Sequence, residues 1–454
     1  MKKSILLGTA ALAAVALAAP QAADAGETKI GGYYQFRMAS MDNTPGDAAG
    51  DENANYWAQR LQLNVDMKAS DKSHAHLVTR VLDNNTVQGN DATLAVGTTA
   101  TTANWQVRQL WLETEAWGVG LKVGNMPVAL NDGILVDHDV TSYGTILLSK
   151  NFGGVTVIGA DVKVAEGSAM TVGVNANHMD TDLYVLSALG KVNSIDYQVT
   201  GAYLHEDNSV TAVAANPVLG TVGNGLGAKT GTGSVNDGWL ALTLGGQIQG
   251  IDLTGTAIYE TGMSNVTNDS QLDDSGVLLA LRGKGKTGFG GWNAYAFYGS
   301  EDYTAPVAGG DQPHWSPTWD SGGAGAHDLM ERALSSTLGG GANGAAATTN
   351  IATDVSNMWG VGAGLAINAG AWTIKPSLDY ARLVEETITN GVAGAAPYRS
   401  AWGGTLGFST KIQEGTTLDL SGTWVDPNRS NNAVGTAATE DTMHYLQASV
   451  KMDF

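Results

Sequence analysis

Arg37, Arg60, Arg80 and Arg108 each fall about three residues from one end of the first four strand-like segments of the chain. A strand advances about 3.3 Å per residue and its neighbour lies about 4.8 Å away, so four guanidinium groups would stand at one height on adjoining strands. Opposed to acidic groups, permanently charged planar donors in such a row set up a transverse field that orients dipolar solutes and excludes apolar ones. The acidic balance of the chain as a whole favours cations, which the arginine row could reverse locally. Apolar Phe36, Leu61, Leu63, Leu77 and Val81 alternate with Arg37, Arg60 and Arg80, which turns those three to the polar face. Around Arg108 both faces read apolar, with Trp105, Val107 and Trp111 on one and Leu110 and Leu112 on the other, and its facing stays open. A second charged group, Asp132, Asp137, His138 and Asp139, sits in the connection at 126–140, where a solvated acidic loop is the plain alternative to a site.

Bond-making chemistry finds little support. Hydrolysis needs a nucleophile, a base and an orienting group, and none of the eight histidines lies in a Gly-x-Ser-x-Gly or His-Glu-x-x-His setting. His74 and His76 share one strand face, as two metal ligands would, but no third ligand lies close by in sequence. With no cysteine, thiolate chemistry and thiolate metal sites are excluded. Asp42, Asp47, Asp51 and Glu52 offer enough oxygens for calcium or magnesium, although their spacing does not fit an EF-hand, and a charged, solvated loop is favoured. No cofactor is expected beyond that weak candidate. The net charge of −20 argues against nucleic acid, whose binding rests on neutralising phosphates.

The elements that must hold these residues are strands. His444, Leu446, Ala448, Val450, Met452 and Phe454 alternate with Tyr445, Gln447, Ser449, Lys451 and Asp453, giving one apolar and one polar face. The same period recurs at 195–203, 251–259 and 416–426. Eighteen such segments can be placed, from 28–40 to 443–454, with 119–125 and 141–150 flanking the connection at 126–140. Many run about 10 to 13 residues, the length a tilted strand needs to cross a bilayer and longer than the usual soluble strand of about 5 to 6. Tryptophans gather at segment ends, at Trp57, Trp105, Trp239, Trp292, Trp359, Trp372, Trp402 and Trp424, as an interfacial girdle would.

Short connections such as 70–73, 151–154 and 369–370 alternate with long ones, the asymmetry of periplasmic turns and extracellular loops. Residues 1–25 read as a cleaved secretory signal: Lys2 and Lys3, an apolar stretch, then Ala23-Asp24-Ala25. The expectation is an all-β protein, a single transmembrane antiparallel β-barrel over 26–454, with its apolar face in lipid. In this setting the arginines have a second reading, in which they sit at the outer rim and pair with lipopolysaccharide phosphates or loop carboxylates.

The signal, the opening Lys29–Phe36, the stretches Val107–Leu112 and Gly120–Asn125, and the terminal Phe454 together resemble the larger, eighteen-stranded bacterial general-diffusion porins. The resemblance implies an outer-membrane channel of a Gram-negative bacterium, exported through the periplasm, that passes small hydrophilic solutes and ions. It also implies three barrels per assembly and recognition of Phe454 by the barrel-insertion machinery. A third loop near 126–140 would fold inward, so that Asp132, Asp137 and Asp139 face Arg37, Arg60, Arg80 and Arg108 across a constriction. Asn125 departs from the family's Val-Gly-Arg pattern, so no basic role passes to that position. Two alternatives are a substrate-selective channel, which a stacked run of inward aromatic residues would favour, and a structural or adhesive barrel.

Overall fold

The computed structural model describes residues 26–42, 54–88, 105–165, 181–206, 235–261, 263–264, 275–300, 303, 358–384, 398–429 and 442–454. The strands are β1 Thr28–Asp42, β2 Ala54–Ser70, β3 Ser73–Gln88, β4 Trp105–Ala116, β5 Val119–Leu130, β6 Val136–Phe152, β7 Val155–Ala165, β8 Thr181–Val192 and β9 Ile195–Glu206. They continue as β10 Val235–Ile248, β11 Ile251–Glu260, β12 Met263–Ser264, β13 Val277–Thr287, β14 Gly290–Gly299, β15 Met358–Ala369, β16 Trp372–Leu383, β17 Tyr398–Gln413, β18 Thr416–Arg429 and β19 Met443–Asp453. Two-residue β12 pairs with β10 just beyond β11, so the wall has eighteen long staves.

Each stave pairs antiparallel with its neighbours in sequence, and β1 pairs with β19, so the sheet closes with no edge. At the seam Gly32 and Phe454 exchange reciprocal backbone hydrogen bonds of 3.0 Å. The pairing is sheared. A line of directly opposed residues that starts at Thr28, the first residue of β1, runs through Met67, Ala75, Leu112, Val123, Ile146, Asp161, Tyr184 and Tyr203 to Gly238, near the opposite end of β10. Strands must therefore tilt strongly to the barrel axis.

Period-two facing is explicit on β10, where Leu240, Leu242 and Leu244 are 58%, 41% and 46% exposed while Trp239, Ala241 and Thr243 between them are buried. Exposed apolar side chains continue this outer band on most of the long staves, far more than a water-facing surface tolerates. No helix among the described residues is long and apolar enough to cross a membrane, and the strands supply the crossing. Near the ends that carry the long connections, Tyr298, Trp359, Tyr380, Trp402 and Trp424 form an outward aromatic row, with Tyr380 5.2 Å from Trp359 and 4.5 Å from Trp402.

Two sequence expectations need correction. β5 does not end at 125, nor does β6 begin at 141, because apolar alternation carries both onward into a hairpin that opens at a register shift around Pro127. Trp239 belongs to no girdle: it faces inward at 4% exposure, packed with Ile258, Leu204 and Leu278. The inner wall is apolar at that level, so hydropathy gives two greasy faces and loses the distinction between lipid and lumen.

Candidate functional site

The β5–β6 hairpin crosses the lumen. Its tip turns at Asn131, Asp132 and Gly133, three consecutive residues at φ of 54°, 61° and 76°, a conformation that asparagine, aspartate and glycine tolerate best. One face of the hairpin, Met126, Val128, Leu130, Ile134, Leu135 and Val136, is buried in the same apolar cluster as Val162, Leu183, Leu204 and Ile258 of the inner wall. Burying such side chains contributes roughly 1.5–3 kcal/mol each, which makes the inward fold the stable one.

Polar contacts fix the tip. Asn131, fully buried, donates from Nδ2 to Thr243 Oγ1 on β10 at 3.1 Å, and Thr243 Oγ1 lies 2.9 Å from Thr256 Oγ1 on β11. Arg282 on β13 donates to the Asp132 carbonyl at 2.8 Å and to the Asp132 carboxylate. Asp132 thus points away from the expected basic row and shares its charge with a cation on the far wall. Arg282 is the residue that sequence reasoning missed. Its signal lay in Leu-Ala-Leu-Arg-Gly-Lys, where inward Leu278 and Ala280 carry the alternation to Arg282, but nothing local names its partner.

The basic row stands on the near wall. Arg37 opposes Ala58, Arg60 opposes Gln35, and Arg80 opposes Gln62 and Gln106, so each arginine is displaced two positions from the last and keeps its facing. The displacement runs toward the short-turn end, against the climb of the tilted pairing, and so holds the row near one level. Arg80 is 8% exposed and donates from Nε to Gln62 Oε1 at 2.9 Å, an oxygen that also accepts the Tyr33 hydroxyl at 3.4 Å.

Arg108 occupies a β-bulge: Val78 opposes Gln109, Thr79 opposes Val107, and Arg108 is the extra residue. The bulge resolves the ambiguous facing of β4. Val107, Leu110 and Leu112 are all outward, at 51%, 52% and 44% exposure, which strict alternation forbids and one inserted residue permits.

Below the row, toward the short-turn end, His76 bonds Asp66, its ring lies 5.2 Å from Trp111, and Lys122 sits 5.0 Å over Trp111 and 3.2 Å from Glu113. Asp66, His74, His76, Trp111 and Glu113 line a recess of about 730 Å³. His76 is committed to Asp66, and among the described residues no three acidic or histidine side chains converge as a metal site. The backbone of Asp137 and Asp139 lies in β6 and that of Asp42 in β1, while their side chains, and all of Asp47, Asp51 and Glu52, lie outside the described residues.

The fold is that of the large outer-membrane porins. A BenF-like porin from Pseudomonas fluorescens Pf-5 superposes with a TM-score of 0.56 at 12% identity, covering 94% of this chain and 98% of its own. Two Pseudomonas aeruginosa proteins, OccK2 (OpdF) and the outer membrane protein opdK, give 0.56 and 0.54 at 10% identity, with the same coverage. At such identities the likeness is one of fold. No family model matches the sequence, and no curated protein does.

Proposed function

We propose that this protein is an outer-membrane channel for small hydrophilic solutes, selective at its constriction for anions over cations. The observation that carries the reading is the hairpin tip held to the far wall by Asn131–Thr243 and Asp132–Arg282, which narrows the lumen beside the row Arg37, Arg60, Arg80 and Arg108. Charge at a narrow passage outweighs charge on distant loops, because fields fade over about 8 Å at physiological ionic strength. The acidic balance of the whole chain therefore does not set the preference. The Asp132 carboxylate is engaged by Arg282, and the reading therefore assigns the local potential to the charges of the near wall.

A substrate-selective channel is favoured over an open sieve on a second observation. The inward hairpin packs an apolar core against the inner wall of β7 to β11 and β13, which supports a passage narrowed toward the arginine wall. Tyr295 and Phe297 face inward and stack at 6.1 Å, but at 6% and 4% exposure they form wall and offer a solute no stacking surface. Planar-bilayer recording in a salt gradient tests the reading. A reversal potential of anion sign is expected, weakening as salt rises. A cation-sign potential would refute the assignment, and absence of conductance from folded barrels would refute the channel.

A further inference from the structure

The recess beneath the arginine row is built on two lines of directly opposed residues: Asp66, His76 and Trp111 on one, His74, Glu113 and Lys122 on the next. Met67, Leu110, Leu112 and Val123, which alternate with members of these lines, are exposed on the outer wall, so the lines face the lumen. Asp71, Lys72 and Gly118 of the short turns also line the recess, which places it at that end of the barrel, the periplasmic end in the membrane-spanning reading. Its volume of about 730 Å³ falls in the range of about 300–1,000 Å³ common for small-molecule sites. His76 stands four positions from Arg80 along β3, about 13 Å away. A solute the size of one amino acid therefore meets the row and the recess in turn, not together.

The row is basic, whereas the recess carries both signs. Each acidic group that lines it has a basic side chain as its partner, as Glu113 has Lys122 at 3.2 Å and Glu115 has Lys72 at 2.8 Å. These pairs are partly exposed, and such pairs open at small cost. Trp111 adds an aromatic wall whose face already holds a cation, the Lys122 ammonium at 5.0 Å from the ring centre, with the His76 ring 5.2 Å away.

We infer that this recess binds zwitterions of amino-acid or dipeptide size, with an ammonium and a carboxylate in one molecule. The ammonium takes the place of Lys122 against Glu113 and the Trp111 face, and the carboxylate pairs with the displaced Lys122, whose flexible four-carbon stem lets it follow. The exchange opens one ion pair and closes two. An anion alone would pair with Lys122 and leave Glu113 without its cation, and a cation alone would pair with Glu113 and leave Lys122 without its anion. For either the number of pairs stays the same, so only a molecule with both charges gains one.

The site rests on the channel reading only for access from the periplasm, and binding can be measured apart from conduction. Saturation-transfer NMR on folded barrels in lipid nanodiscs, with glycylglycine as the probe at neutral pH, is expected to show binding that acetate or ethylammonium displaces at least tenfold less well than unlabelled glycine. Glu113→Gln and Lys122→Met should each weaken the binding about tenfold, since each removes one charge-assisted partner. Glu113→Lys combined with Lys122→Glu rebuilds the pair in reverse and should recover most of it. No glycylglycine signal from folded, conducting barrels would overturn the site and leave the channel standing. Acetate or ethylammonium competing as well as glycine would overturn the zwitterion assignment, as would full affinity in Glu113→Gln. Binding by barrels that do not conduct would sustain the recess and overturn the channel instead.

Discussion

Asp132 and Arg282, 150 residues apart in sequence, meet across the lumen, and the guanidinium donates both to the carboxylate and, at 2.8 Å, to the carbonyl of the same residue. A partly exposed ion pair by itself contributes about 0.2–1 kcal/mol, and the hydrogen bond to the carbonyl adds about 1 more. This clasp sets how often the tip leaves the wall.

Arg282→Ala is therefore expected to raise the detached population of the tip roughly tenfold, for a loss of about 1.4 kcal/mol. Single-channel recordings should show larger, noisier steps, and the exchanged pair Asp132→Arg with Arg282→Asp should restore part of the quiet. Unchanged conductance and noise in Arg282→Ala would mean that the apolar face alone holds the hairpin.

Selectivity should respond to the near wall. Two unit charges about 4 Å apart interact by about 1 kcal/mol in water, so replacing Arg60 and Arg80 by glutamine should lower the anion-to-cation permeability ratio several-fold. Reversal potentials at low and high salt measure it, and the difference between variant and wild type should shrink as salt rises. A ratio that does not move would place the selective charges elsewhere.

Inside the wall, Tyr295 reaches over Gly362 to donate to Asp379 Oδ1 at 2.8 Å, tying β14 to β16 across β15. A Cβ at Gly362 would fall 2.3 Å from the Tyr295 ring and 2.4 Å from that carboxylate oxygen. Gly362→Ala should cost about 1–3 kcal/mol in reversible urea unfolding from lipid. Gly288→Ala, with nothing within 4 Å of its Cβ, is the near-neutral control.

Gly32 and Phe454 hold the seam, and a Cβ at Gly32 would lie 2.1 Å from the Gln62 carbonyl oxygen. Gly32→Val and deletion of Phe454 should both reduce the heat-modifiable, barrel-closed fraction. Phe454→Ala keeps the backbone pair and should spare closure in purified lipid; if its yield in cells falls, the side chain is read during insertion.

Much of the fold could be read from residue order, because the antiparallel barrel has one period and one rule of connection. His444–Phe454 alternates so cleanly that its facing is fixed without a partner, and the staves on β7 and β9 end where alternation ends. Legibility failed where tertiary contact replaced solvent as the neighbour. Trp239 looked like a girdle residue because the lumen beside the hairpin is as apolar as lipid. Arg108 looked ambiguous because a bulge changes the parity of a strand without a marker in the residue types. Asp132 was legible as a tip residue, but not Arg282 as its partner, since no local pattern joins positions so far apart.

The pairing of β1 with β19 also governs when the molecule can become stable. Gln35 donates to Ser449 at 3.3 Å over a separation of 414 residues, so this contact joins nearly the first stave to the last. Contacts so distant along the chain are slow to form, and until they do the first and last staves expose open edges prone to strand addition by other chains. Folding is thus timed by its end: a nascent barrel has no resting stage short of closure, and stays open to strand addition until its two outermost strands meet.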